Sequence, residues 1–444
     1  MKIAIIGTGH VGLITGVCFA ELGNEVTCID ADEVKIQNLK KGLLPIYEPG
    51  LQELLAKNTV NTGHMSQGLI SLRLKSPFYP IKFTTSIKDG TKDAIVIFIC
   101  VGTPPKSSGE ADLSAVENVT MQIAESMSDY KLVVEKSTVP VRTGIRIKQL
   151  MEQRAKTKFD VASNPEFLRE GNAIYDFMHP DRIVIGVESE RAKNILLELY
   201  QPIKAPIVVT DIESAELIKH ASNSFLATKI SFINAVALIC EKTGANIEQV
   251  AQGIGLDHRI GKDFLNAGIG FGGFCFPKDL RAFRRIAEKI GTDFNLLKEV
   301  ENINEEMKKR FISKIEDSLW NLKDKVIGVL GLAFKPDTED MRYAPSIDII
   351  KTLQEEGAKI KVYDPQAMNV AKSILKDVEY CSNPYQVAEG SDCLCILTEW
   401  DEFKELDLIK IKKLLKSPII IDGRNIFSKQ EMQKMGFKYK SIGR

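Results

Sequence analysis

Net charge is the first thing this sequence lacks. Its 59 lysines and arginines balance 59 aspartates and glutamates over 444 residues, so no global field draws it toward nucleic acid or an anionic membrane. Long apolar runs are missing as well; nothing approaches the roughly 20 residues that cross a bilayer. The opening stretch from Met1 to Gly7 is apolar but has no small-residue cleavage site and leads straight into a glycine motif. It reads as a first strand rather than a signal peptide. Metal-ligand patterns are absent: the 5 histidines are dispersed, and neither HExxH nor CxxC occurs, so no metal site is expected. Cysteine is present without a framework. Cys18, Cys28, Cys100, Cys240, Cys381, Cys393 and Cys395 lie mostly in apolar segments, as suits reduced core thiols in a cytoplasmic protein. The eighth, Cys275, stands in a glycine-rich turn.

What is present is α/β patterning. A chain of this length implies two or three domains of about 100–200 residues each. Lys2 to Ile6 is a β-run closed by Gly7-Thr8-Gly9-His10-Val11-Gly12; an apolar helix follows to Leu22, and a second strand from Glu25 to Ile29 ends in Asp30. Strand, GxGxxG, helix, strand and acid at this spacing are the pattern of a dinucleotide site. Gly7 makes the tight turn, Gly9 admits the pyrophosphate, and Gly12 lets helix and strand pack. The helix N-terminus offers N–H donors to the phosphates. Asp30 is placed to accept the adenosine ribose hydroxyls, and its charge repels a 2′-phosphate, which favours NAD over NADP.

Further strands run from Asp93 to Val101, Lys131 to Glu135, Asp160 to Ser163, Arg182 to Gly186 and Pro206 to Val209. The first of these leads into Gly102-Thr103-Pro104-Pro105, and the next delivers Lys136-Ser137-Thr138-Val139-Pro140 to the same carboxyl edge, where such sheets bind ligands. Thr138 offers a hydroxyl there or simply closes a turn. In Asn164-Pro165-Glu166-Phe167-Leu168-Arg169-Glu170 two carboxylates stand four residues apart. They share one face if the segment is helical, as a functional pair or as a solvated acidic face. Asn58 to Pro80 reads as a loop or hairpin excursion.

Asp211 to Thr243 contains neither proline nor glycine and is apolar on more than one side. A helix that long is expected to be a spine between domains, buried in part by a second subunit, so an aspartate at Ile233 should lower the assembly state. Lys219 and Asn223 project together from it, one turn apart. A second βαβ series then appears, with strands at Lys325 to Leu330, Ile360 to Tyr363, Asp392 to Leu397 and Pro418 to Ile421, but no GxGxxG. The expected class is α/β: two Rossmann-like parallel-sheet domains, 1–209 and 307–444, joined by a long central helix and a small helical domain within 210–306.

The stretch Gly268-Ile269-Gly270-Phe271-Gly272-Gly273-Phe274-Cys275-Phe276-Pro277-Lys278-Asp279 carries the most chemistry. Its glycines let the backbone press close to a neighbour or a ligand. A thiol shares the turn with an ammonium and a carboxylate, and a nearby lysine or helix N-terminus lowers a thiol's pKa. Cys275 is thus a reactive thiol or an inert buried one. Asp279 reads as the start of the next helix, with Pro277 just before it.

At Gly7 to Gly12, Val101 to Pro104, Ser137 to Pro140, Asn164 to Ala173, Lys219 to Asn223, Gly270 to Asp279, Phe334 to Arg342 and Asp422 to Arg424, the sequence resembles the nucleotide-sugar 6-dehydrogenase family, most closely its UDP-glucose members. The resemblance implies NAD on the first domain, the nucleotide sugar between the two, and a homodimer or higher oligomer formed through the central helix. It implies that C6 of the sugar is oxidised twice, from alcohol to carboxylate, with two NAD reduced. The family's catalytic set falls on Cys275, Lys219, Asn223, Asp279, Thr138 and Glu166. Its cofactor contacts fall on the glycine motif with His10 and Val11, and on Asp30, Lys35, Thr103, Thr138, Glu170, Lys278 and Arg342. Its sugar and nucleotide contacts fall on Glu166, Phe167, Leu168, Glu170, Lys219, Asn223, Phe264, Asn266, Gly272, Lys335 and Arg424, with Arg259 reaching the neighbouring subunit's substrate. Lys57 to Pro80 is longer than the corresponding family loop. GDP-mannose and UDP-N-acetylhexosamine stay open as substrates. The rival readings are a phosphogluconate-type hydroxyacid dehydrogenase, which needs no cysteine and yields one NADH, and a non-enzymatic NAD-binding protein.

Overall fold

The computed structural model describes residues 1–59, 79–106 and 109–444. The chain divides into two units, Met1–Ala221 and Ser222–Arg444. Among the described residues the first holds eight strands: β1 (Lys2–Ile6), β2 (Glu25–Ile29), β3 (Lys82–Thr84), β4 (Val96–Ile99), β5 (Lys131–Glu135), β6 (Phe159–Ser163), β7 (Ile183–Val187) and β8 (Ile207–Thr210). They form one sheet in the order β3-β2-β1-β4-β5-β6-β7-β8. Every neighbouring pair is parallel except β6 and β7. Parallel strands covered on both faces must be apolar on both faces, and β1 is: Ile3 and Ile5 enter one core cluster, Ala4 and Ile6 another. Because β1 lies between β2 and β4, the strand order reverses there. The crevice outside the carboxyl ends of β1 and β4 is the ligand position of such sheets.

The excursion expected between Asn58 and Pro80 falls mainly on residues 60–78, outside the described residues. Its flanks are described. The helix Leu51–Thr59 precedes it, β3 follows it, and the Ile81 amide donates to the Asn58 carbonyl at 2.9 Å.

The second unit carries β9 (Val326–Leu330), β10 (Lys359–Tyr363), β11 (Val378–Tyr380), β12 (Cys393–Ile396), β13 (Ile419–Asp422) and β14 (Lys438–Ser441). Their order is β11-β10-β9-β12-β13-β14, all parallel. Cys393 and Cys395 enter the same core cluster, as alternation along a strand requires. The edge strands β11 and β14 have no counterpart in the sequence reading, whereas the family resemblance implies a strand near Phe83, where β3 lies. Each of the three is short and places Lys82, Glu379 or Lys438 in solvent, which hides the apolar signal and also discourages edge-to-edge pairing.

The helix Ile212–Thr243 has 32 residues, a length of about 48 Å at 1.5 Å per residue. Asp211 opens it by accepting the Ser214 amide at 2.7 Å, and Gly244 follows it at φ +78°. It is long and apolar enough to cross a bilayer, contrary to the expectation that no stretch would be. Part of it is buried within the chain itself. Ile212 lies in a core cluster of the first unit, and Ile233, Ala237 and Cys240 lie in one of the second. Glu216, Lys219, Asn223 and Asn234 are buried along it. Ile233 is therefore the wrong probe of a subunit seam, since it is fully buried within its own chain. Besides Leu217, the exposed large apolar side chains on it are Phe225, Phe232 and Ile239, 66%, 55% and 60% accessible. Their seven-residue spacing aligns them along one stripe.

Candidate active site

The glycine motif of the first unit forms a cradle. Helix His10–Glu21 starts on it, with Gly9 at the N-cap and no side chain capping it, so its first N–H groups point toward an external acceptor. A Cβ at Gly12 would meet the Gly7 carbonyl at 1.8 Å, whereas one at Gly9 would meet nothing within 4 Å. Gly12 is thus glycine for packing, and Gly9 faces open space that fits a diphosphate. At the end of β2, Asp30 accepts the Thr8 amide at 2.8 Å, the Thr8 hydroxyl at 2.7 Å and the Lys35 ammonium at 2.9 Å. Burial alone would raise the Asp30 pKa, but these bonds and one from the Asp32 amide hold it below the usual carboxylate value. The sequence placed Asp30 and Lys35 on the cofactor; the structure pairs them with each other. Thr103, in the loop after β4, donates to the Thr138 carbonyl at 2.9 Å and so joins two loops at the carboxyl edge of the sheet. Val11 packs into the core, while His10 Nε2 stands 3.2 Å from a carboxylate oxygen of Glu48.

The Glu166 segment corrects one expectation. From Asn164 to Arg169 the chain is not helical, and the next helix, Ala173–Met178, begins later. Pro165 restricts Asn164 to extended backbone, so the argument that Glu166 and Glu170 share a helix face does not apply. Glu166 instead accepts the Lys219 ammonium at 2.9 Å through one oxygen and the Leu168 amide at 2.6 Å through the other. Both members of the pair are buried. The Phe167 ring lies 3.6 Å from the Arg182 guanidinium and 5.4 Å from the Lys219 ammonium.

Several residues that the sequence reading missed hold these loops. Lys136, buried at the end of β5, donates to the Asn164 side-chain oxygen at 3.0 Å, which also accepts the Tyr200 hydroxyl at 2.5 Å. Burial pushes the Lys136 pKa down to about 8. Glu216 accepts the Arg142 and Gly144 amides at 2.6 and 2.7 Å, and His220 Nε2 lies 2.8 Å from the Val139 carbonyl, fixing the loop that carries Thr138. Burial raises the Glu216 pKa to about 7. Polar residues at 216, 219, 220 and 223 recur at helical spacing on one side of a helix rich in apolar residues, a signal that could have identified Glu216 and His220.

In the second unit the helix after the glycine-rich stretch begins at Cys275, not at Asp279. It runs Cys275–Lys289 with Phe274 at the N-cap, and Pro277 is tolerated because first-turn amides need no helical partner. Cys275 therefore occupies the first helical position, where the positive end of the helix favours a thiolate. It is exposed, whereas the other seven cysteines are buried, and burial raises Cys18 and Cys28 to about 12. Asp279, in the next turn, accepts the Asn223 amide at 2.6 Å and pairs with Lys278 at 2.8 Å.

The glycines before Cys275 approach protein. Gly270 (φ +101°) presses against Asn304, and Gly273 (φ +80°) against the Phe334 ring; added Cβ atoms would lie 2.6 and 2.8 Å from them. A Cβ on Gly272 would fall 2.4 Å from the Tyr343 carbonyl. Asn304 accepts the Phe271 amide at 2.8 Å and donates back to the Phe271 carbonyl at 3.1 Å. Arg424 donates to the carbonyls of Gly270 at 3.0 Å and Leu397 at 2.8 Å. Arg342 pairs with Asp340 at 2.7 Å and covers the Phe274 ring at 4.4 Å. Lys335 lies 5.6 Å from the Phe334 ring, and Phe264 lies 6.2 Å from Phe276. Asn266 and Arg259 are exposed, Arg259 paired with Asp257 at 2.5 Å. The second sheet has an acid at the position of Asp30, but Asp364 is fully buried. It accepts the amides of Leu332, Ala333, Gln366 and Ala367 and the Trp400 indole. That leaves it no capacity to take a ribose.

Known proteins match along the whole chain. Residues 1–204 match the NAD binding domain of the UDP-glucose/GDP-mannose dehydrogenase family, 213–306 its central domain, and 328–429 its UDP binding domain. A UDP-glucose 6-dehydrogenase of Bacillus subtilis (strain 168) is 49% identical, the match spanning 100% of this chain and 93% of that protein. One of Rhizobium meliloti (strain 1021) is 44% identical over 100% of both. The structure of a UDP-glucose dehydrogenase from the archaeon Pyrobaculum islandicum superposes with a TM-score of 0.88 at 38% identity, covering 99% of this chain and 96% of that one.

Proposed function

The chain belongs to the UDP-glucose/GDP-mannose dehydrogenase family, and from that premise we propose that it oxidises C6 of UDP-glucose twice, giving UDP-glucuronate through a covalent adduct on Cys275. It is an NAD-dependent oxidoreductase. Bound NAD supplies a hydride acceptor for each two-electron step. The Gly9 cradle would hold its diphosphate and Asp30 its ribose, with Thr103, Glu170, Lys278 and Arg342 as further contacts.

The C6 alcohol first gives up a proton and a hydride and becomes an aldehyde. The Cys275 thiolate adds to C6, forming a C–S bond, and the carbonyl electron pair moves onto oxygen. Lys219 and Asn223 stabilise that oxyanion with an ammonium and an amide donor. Loss of a second hydride collapses the thiohemiacetal to a thioester. Water, activated by Glu166 or oriented by Asp279 and Thr138, adds to the thioester and expels the thiolate, leaving the carboxylate.

The observation that carries this reading is the exposed Cys275 thiol at a helix N-terminus, one turn from the buried Asn223–Asp279 contact. The Glu166–Lys219 pair, with Phe167 and Leu168 around it, supports the roles assigned to the first unit. Phe264, Asn266, Gly272, Lys335 and Arg424 would contact the nucleotide sugar. The matched ranges support a three-domain division at 1–209, 210–306 and 307–444. A second copy would cover the Phe225, Phe232 and Ile239 stripe, making a cytoplasmic homodimer in which Arg259 serves the partner's substrate. The test is NADH formed per limiting sugar across UDP- and GDP-sugars. Two per UDP-glucose is expected; one would favour the hydroxyacid-dehydrogenase chemistry, and none with any sugar would leave a binding protein.

A further inference from the structure

We propose that Glu48 is a positioning residue that transmits occupancy of the nucleotide cradle to the segment carrying Glu166 and Glu170. Glu48 is 4% exposed and sits in the turn Tyr47-Glu48-Pro49-Gly50, and its carboxylate bonds groups remote from it in sequence. One oxygen accepts the Gly171 amide at 2.8 Å, and the other accepts the Ala173 amide at 2.7 Å. His10 Nε2 stands 3.2 Å from the oxygen that holds Gly171. His10 is the first residue of the helix that faces the cradle. Three separate stretches of the first unit therefore meet on a single buried carboxylate.

The segment needs such a clamp. Between Glu166 and Ala173 no helix or strand holds the backbone, so its position rests on side-chain bonds. Glu166 fixes one end through Leu168 and Lys219. Asp176 holds the middle through the Arg169 amide and guanidinium at 2.9 and 2.6 Å. Glu48 fixes the far end, directly after Glu170. Local opening of this segment breaks the two amide bonds to Glu48. A diphosphate on the first turn of helix His10–Glu21 immobilises His10, which in turn holds Glu48 against both amides. A ligand that binds only the closed arrangement raises the cost of opening. The inference rests on the NAD cradle and is independent of which sugar is oxidised.

The test is amide hydrogen exchange, read by mass spectrometry on the full chain with and without NADH, in peptides covering residues 164–178. In the wild-type protein NADH should slow exchange at Gly171 and Ala173 by about tenfold or more, as expected when local opening becomes costlier. In Glu48→Gln that NADH-dependent slowing should vanish while NADH fluorescence still reports binding. In His10→Phe, which leaves both Glu48 amide bonds in place, exchange without NADH should match wild type and the NADH effect should again be lost at NADH concentrations that fluorescence shows to saturate the variant. Equal slowing in wild type and both variants overturns the proposal, as does no slowing in the wild type. If Glu48→Gln does not fold, His10→Phe alone decides. Failure of the proposed function would appear separately, as no NADH formed from UDP-glucose.

Discussion

Two aspartates end the second strand of their sheets, and only one faces a ligand cradle. Asp364 is filled by backbone amides and an indole, whereas Asp30 keeps a partly open carboxylate beside Lys35. Removing that carboxylate would leave the Lys35 ammonium beside the adenosine ribose. Asp30→Ala should therefore lower kcat/KM for NAD and raise it for NADP, each by about tenfold, the equivalent of ~1.4 kcal/mol. Steady-state kinetics with both cofactors checks this, and an unchanged preference would remove Asp30 from cofactor selection. His10 gives a pH-dependent counterpart. Burial alone would lower its pKa, but Glu48 and the charges of Glu170 and Glu166 raise it above 6.5. Stability from protonated His10 is therefore fully present below pH 6.5 and is lost as pH rises through the raised value. The gap in unfolding midpoint between wild type and His10→Phe should shrink over that rise; a gap that stays constant contradicts it. The glycine motif, Asp30 and Cys275 were legible because fixed local spacing carries them. Glu48, Lys136 and Asn304 were not, because their partners lie 28 to 125 residues away and only the fold brings them together.

At the scale of elements, the long helix was legible from its lack of breakers, but which residues face outward was not. Periodicity gives a face, and only packing says whether the protein's own core already covers it. Ile233 and Phe232 are adjacent and opposite in this respect. Phe232→Asp should leave folding intact and lower the sedimentation mass from dimer to monomer. Ile233→Asp should instead unfold the chain, since a buried carboxylate without a partner costs several kcal/mol. A Phe232→Asp protein that stays dimeric removes this stripe from the seam. The segment 164–169 is not the helix that a shared carboxylate face would need, for a local reason, Pro165, and the helix at Cys275 began early because a proline in its first turn costs nothing. The glycines of that loop were legible as close approaches, while the partners they approach, Asn304, Phe334 and Tyr343, were not.

At the scale of the molecule, the residues proposed as catalytic come from both units. Glu166, Lys219 and Thr138 belong to the first, and Asn223, Cys275 and Asp279 to the second. The continuous helix Ile212–Thr243 carries Lys219 and Asn223 one turn apart. The two sheets were legible as alternating strand and helix patterns, and the lack of a second GxGxxG pointed to one dinucleotide site. In the proposed mechanism the thiol is what separates the four-electron oxidation from an ordinary alcohol dehydrogenation, because the second hydride leaves from a covalent adduct. The central claim is tested most directly by NADH release from UDP-glucose in Cys275→Ala. The account predicts that steady turnover falls by about a thousandfold or more, as when a nucleophile is removed, with no covalent adduct in the intact mass. Release of two NADH per sugar at near wild-type rate would contradict it.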